Sequence, residues 1–139
     1  MGSKIYIDTN IFIDLMDSTR PFYEGSFAFV KNNVVDGNML YINSDTITNA
    51  FYILSKNKER SKIDLLVLMK KMVSLFVVVS VENEEVMMAL SLCEDEACAF
   101  KDYEDALQYV CAKKVEAGLI VTNDKGFVGL DIALQNTRG

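Results

Sequence analysis

The chain has no histidine, a single proline (Pro21) and an odd set of three cysteines, Cys93, Cys98 and Cys111. Each scarcity closes off a class of chemistry. Without imidazole, zinc sites of the usual Cys/His kind, Ser-His-Asp triads and Cys-His nucleophiles all lack a required part. Three cysteines with no Cys-x-x-Cys pair fit a reducing compartment better than a disulfide framework. One proline in a chain that is 50% apolar argues against disorder. No run approaches the roughly 18 apolar residues that a membrane-spanning helix needs. The start, Met1 to Ile7, runs straight into a strand-like segment and lacks the long apolar stretch of a secretory signal. These features predict a cytoplasmic chain with no membrane segment.

Positive charge is also in short supply. There are 14 Lys plus Arg against 20 Asp plus Glu, a formal charge of −6. Such a balance suits a basic protein partner and is poorly matched to sequence-blind phosphate binding through basic side chains. Nucleic acid remains accessible if divalent cations neutralise an acidic cleft, or if the basic residues are concentrated locally. The length, 139 residues and 15.6 kDa, fits one domain over residues 1–139 with a single real core.

What the chain does contain is a repeated alternation. Ile5-Tyr6-Ile7 is short and β-prone, and Asp8-Thr9-Asn10 behind it is a polar cluster fit to cap a helix through Ile11, Phe12, Leu15 and Met16. Pro21 opens a second helical stretch that ends near Asp36-Gly37-Asn38, a turn signature. Met39 to Ile42 reads as a strand, Asn43 to Thr46 as another cap, and Ile47, Ala50, Phe51 and Leu54 as the apolar face of a helix. A helix over Ile63 to Met72 and a strand over Leu75 to Val79 follow, the latter apolar on both faces as a central parallel strand should be. Helices over Glu82 to Leu92 and Asp102 to Ala117 come next, the second ending at Gly118 as a glycine stop. Leu119 to Thr122 is a fourth strand; the tail from Phe127 to Gly139 reads as a short helix that frays. Short apolar strands alternating with helices predict an α/β fold with a parallel sheet.

In such a sheet the working site lies outside the carboxyl ends of the strands. Asp8 directly follows the first strand and Asp124 follows the fourth by two residues. Asp105, with Asp102 before it, opens the helix that leads back into the fourth strand. Residues 8, 105 and 124 therefore converge on one edge. Each has a plainer role: Asp8 as a helix cap, Asp124 as a turn residue, Asp102 and Asp105 as first-turn acids favoured by the helix dipole. Capping alone does not require three distant aspartates at one strand edge. Clustered carboxylates repel, and they persist where a divalent cation compensates them; Mg²⁺ or Mn²⁺ takes hard oxygen ligands and needs no histidine. A phosphate-accepting aspartate is a weaker reading, because that pattern wants a second aspartate where Asn10 stands.

These residues resemble the PIN domain, the nuclease module of VapC-type toxins in toxin–antitoxin pairs. Ile5-Tyr6-Ile7-Asp8-Thr9-Asn10 is similar to the family's opening strand and Asp-Thr-Asn. Asp102-Tyr103-Glu104-Asp105-Ala106 is similar to the segment that carries its third acid, at Asp105. Ile120 to Phe127 is similar to its late Thr-x-Asp…Phe segment, with Thr122 and the fourth acid at Asp124. The resemblance implies a three-layer α/β/α sandwich around a mainly parallel sheet of four or five strands. It implies Mg²⁺ or Mn²⁺ bound by Asp8, Asp105 and Asp124, with Thr9 and Asn10 ordering the site. It further implies hydrolysis of RNA phosphodiesters, a cognate antitoxin and a homodimer. One departure stands out: the family usually has an acid in the helix after strand two, where this chain has Asn49. An amide adds no charge, so either Asp45 or Asp102 compensates, or the module binds RNA or protein without cutting. The densest basic stretch, Lys56, Lys58, Arg60 and Lys62, is the candidate RNA contact.

Overall fold

The computed structural model describes residues 2–98 and 100–138, so the final Gly139 of the predicted tail lies outside them. Five strands, β1 (Lys4–Ile7), β2 (Met39–Asn43), β3 (Val77–Val79), β4 (Leu119–Val121) and β5 (Ala133–Gln135), form one sheet in the order β3-β2-β1-β4-β5. Every pairing is parallel, with Ile5 opposite Leu40 on one side and Leu119 on the other. Among the described residues six helices connect the strands: α1 (Thr9–Asp14), α2 (Tyr23–Val35), α3 (Ser44–Leu54), α4 (Lys62–Val73), α5 (Asn83–Glu94) and α6 (Tyr103–Lys114).

Successive side chains of a strand point to opposite faces, and that period of two divides the apolar residues between two cores. Ile5, Ile7, Leu40, Ile42 and Val121 pack with residues of α1, α2, α3 and α4, including Phe12, Val30, Ala50 and Leu65. Tyr6, Tyr41, Val79 and Ile120 pack with Ala89 of α5 and Ala106 to Ala112 of α6. Helices thus cover both faces, giving the three-layer α/β/α sandwich.

Local chemistry sets the element ends. Asn43 caps α3 by accepting from the Thr46 N–H, Ser61 caps α4 through the Asp64 N–H, and Glu82 and Glu85 form a capping box on α5. Gly37, at φ 79°, makes the expected turn before β2.

Three expectations are corrected. The valine strand β3 is an edge strand, not a central one: Val77 and Val78 are exposed, and only Val79 is buried. The tail forms no helix; it lays down β5 beside β4, where backbone hydrogen bonding outweighs the weak helical pattern. At the end of α6 it is Glu116, φ 60°, and not Gly118, that takes the left-handed conformation.

Candidate functional site

Directly after β1 comes Asp8, whose backbone is extended and whose carbonyl starts α1. Its side chain does not cap that helix. Instead the carboxylate, 3% exposed, is gripped at both oxygens: Gln108 Nε2 donates to Oδ1 at 2.8 Å and Thr122 Oγ1 to Oδ2 at 2.6 Å. These donors sit on α6 and just past β4, so the two elements that flank Asp8 fix its orientation. Burial pushes the Asp8 pKa up, and the Thr122 and Gln108 hydrogen bonds pull against it while the Asp124 charge raises it further.

Gln108 is itself held. Its Oε1 accepts from the Thr9 N–H at 2.9 Å and from the Thr9 hydroxyl at 3.4 Å, and that hydroxyl shares a 2.8 Å hydrogen bond with Thr46 Oγ1. On the other side, Thr122 Oγ1 accepts from the Asp124 N–H at 3.1 Å. One buried string therefore runs from Thr46 through Thr9, Gln108, Asp8 and Thr122 to the backbone of Asp124. Thr9 orders the aspartate through Gln108 and not by direct contact. Asn10 is exposed, and it acts on Asp8 through its backbone N–H, which adds a smaller lowering to those of Thr122 and Gln108.

Asp102, Asp105 and Asp124 border one small cavity of about 230 Å³, together with Phe100, Lys101, Gly126 and Val128. Asp102 caps α6, accepting from the N–H groups of Glu104 and Asp105. Asp124 accepts the Gly126 N–H at 2.8 Å, the expected turn contact. Asp105 is different. It is half-buried, and among the described residues no donor hydrogen-bonds its carboxylate. Burial raises its pKa to about 7, helped by repulsion from Asp102, Asp8, Asp124 and Glu104. Glu104 is also raised, by burial first and then by Asp8, Asp102 and Asp45, against a lowering hydrogen bond from Asn49.

Repulsion among acids 8, 104, 105 and 124 thus adds to burial in raising the pKa values of Asp8, Glu104 and Asp105, and among the described residues none of the four is in an ion pair. Among the described residues, however, no three carboxylates or thiols already stand in a group able to hold a metal ion. Asp105 and Asp124 line one cavity together with Asp102, while Asp8 is buried behind it and Glu104 is turned to Asn49. Their chemistry fits a hard divalent cation, since every donor is oxygen and mutual repulsion is relieved only by positive charge.

Asn49, which stands where the family usually has an acid, donates through its Nδ2 to Glu104 Oε2 at 2.5 Å. The predicted basic stretch is likewise partly engaged elsewhere. Arg60 donates to the Met16 carbonyl at 2.9 Å and Lys56 lies 4.3 Å from the centre of the Tyr52 ring, while Lys58 and Lys62 are exposed. None of the four lines the cavities beside Asp124, which are lined instead by Lys101, Lys125 and Arg138. Sequence reasoning missed Glu104 and Gln108 as site residues. Their signal is helical spacing: they stand four apart on α6, and Gln108 is three after Asp105, so all three share a face.

The PIN domain family model matches residues 5–132. Ribonuclease VapC1 of Aquifex aeolicus is 34% identical over 137 residues, which is 98% of this chain and 92% of that protein. Among solved structures, FitAcB from Neisseria gonorrhoeae superposes with a TM-score of 0.72 at 16% identity, over 96% of this chain and 97% of that one. VapBC2 from Rickettsia felis bound to a DNA fragment from their promoter superposes at 0.67 with 19% identity, over 96% and 98%. These last two are likenesses of fold, and they agree with the parallel five-stranded sheet and its helical layers. The family match runs from β1 past Asp124, and by that match and the VapC1 likeness this chain belongs to the PIN domain family.

Proposed function

We propose that this chain is a Mg²⁺- or Mn²⁺-dependent endoribonuclease that hydrolyses RNA phosphodiesters, and that it is the toxin of a toxin–antitoxin pair. The observation that carries this reading is a likeness to a ribonuclease along 98% of the chain. The buried Asp8 carboxylate, oriented from two sides at the edge of the sheet, supports it. Asp8, Asp105 and Asp124 would hold the cation, which when bound would neutralise the clustered charge and supply an activated water. The side chains around them have separate tasks. Gln108 and Thr122 hold Asp8 in one orientation, and Thr9 sets the direction of the Gln108 amide. Lys101, Lys125 and Arg138, which line the cavities beside Asp124, would receive backbone phosphates, with Lys56, Lys58 and Lys62 as a further basic surface. Exposed aliphatic residues on α2 and α4, Val35, Ile63, Leu66 and Val67 among them, are consistent with an antitoxin contact and a homodimer.

The test is RNA cleavage by purified protein on a structured and a single-stranded RNA, with Mn²⁺, with Mg²⁺ and with chelator, beside Asp8→Asn. Cleavage that needs metal and falls to the chelator level in the variant, with its circular dichroism unchanged, is the expected result. Equal cutting by Asp8→Asn would remove Asp8 from the mechanism. No cleavage by folded protein from a broad RNA pool would make the chain a non-catalytic binding module.

A further inference from the structure

We infer that Glu104 supplies the acid that the family pattern puts on the helix after strand two, and that Asn49, standing in that acid's place, positions it. This rests on the metal-dependent nuclease reading given above and names a further residue of the same site. The pair is 55 residues apart in sequence and bridges α3 to α6. An ionised carboxylate can only accept, so the Asn49 atom facing Glu104 Oε2 is its nitrogen, and the amide acts as a donor that leaves the negative charge intact. The same amide, used that way, is not a ligand. Glu104 stands in the first turn of α6, next to Asp105 and four residues before Gln108, the residue that grips Asp8. Residues four apart lie one above the other on a helix, so Glu104 shares the face of α6 that meets Asp8. Both Asn49 and Glu104 are half-buried, so the contact is not a loose surface pair. The exchange preserves charge: the acid expected on α3 is missing, and one appears on α6 directly against the amide that replaced it.

A purely structural link between two helices would give the same hydrogen bond, so the test separates metal binding from stability. Mn²⁺ alone is titrated calorimetrically into the full chain, without RNA, and metal-free thermal unfolding is recorded in parallel. Glu104→Gln and Asn49→Asp are each isosteric, so the double variant moves the charge from α6 to α3 with no change of shape. Glu104→Gln is expected to weaken Mn²⁺ by about tenfold or more, the scale on which residues around a metal site act. The double variant is expected to return to within about threefold of wild type, under half of the 1.4 kcal/mol that a tenfold change represents. Wild-type Mn²⁺ affinity in Glu104→Gln, alongside loss in Asp8→Asn, overturns this inference and leaves the nuclease reading standing; so does a lower unfolding temperature with no change in Mn²⁺ binding. A double variant as weak as Glu104→Gln overturns the equivalence of the two positions. No Mn²⁺ binding by wild type overturns both readings.

Discussion

Helices α4 and α6 have the same length and opposite fates. α4 is rich in Ile, Leu, Val and Met, yet only Leu65 and Met69 are buried, and Ile63 and Val67 are 69% and 52% exposed. α6 carries Glu, Asp, Gln and two lysines, yet seven consecutive residues, Ala106 to Ala112, are buried. The difference lies in what stands behind each helix. α6 packs against the sheet on one side and α5 on the other, with small residues such as Ala106, Cys111 and Ala112 allowing close approach. α4 covers the opposite face of the sheet, and Ile63, Leu66 and Val67 on its outer side are exposed. Apolar content therefore marks where a surface can be covered, while burial depends on neighbours. The helix that positions the acids is the more deeply buried one, and the helix with aliphatic residues to spare leaves them exposed.

The largest effect should come from the middle of α6. Gln108→Leu keeps the volume but strips the partner from the Thr9 N–H and from one Asp8 oxygen, both buried, so urea unfolding should show a loss of about 3–5 kcal/mol. A loss under about 1 kcal/mol would mean the buried string contributes little. On α4, Leu65→Ala should cost somewhat less, about 2–4 kcal/mol, because it opens a cavity at a fully buried point.

Next in size is a pH effect at the start of α6. The Asp105 carboxyl titrates near 7 in the folded chain against 3.8 ordinarily, so the native state holds the proton more tightly. Its contribution to stability is fully present below about pH 4 and is lost as pH rises through 7. In chelator, the unfolding temperature should fall between pH 5 and 8, and Asp105→Asn should flatten that fall. An unchanged slope in the variant would assign the pH dependence to other groups. The smallest effect belongs to the outer face of α4. Val67→Ser should change stability by less than about 0.5 kcal/mol. If it also shifts the sedimentation coefficient, that face joins copies of the chain.

Much of this contrast was visible in the residues and part was not. β1, β2 and β4, each a short apolar run followed by a polar cluster, were readable, and Asp8 and Asp124 followed from the rule for parallel sheets. The position of β3 was not, because three valines fit an exposed edge as well as a sheet centre; its neighbours decide, and they are distant in sequence. β5 was hidden for a similar reason. Its three residues have little strand character of their own and are placed by pairing with β4. Glu104 and Gln108 look like ordinary polar residues of a surface helix until α6 is known to be buried. Their partners, Asn49, Thr9 and Asp8, are contributed by other parts of the chain.

The strand order has a consequence for the time course of synthesis. β1 is made before the other four strands of the sheet and ends up in its middle, with β4 as one neighbour. The bonds that orient Asp8 close loops of 100 and 114 residues, so they cannot form until α6 and then β4 have emerged. Asp124 arrives later still. A proposed nuclease built on a machine made of RNA thus carries its acids unassembled until α6 and β4 have followed β1 out.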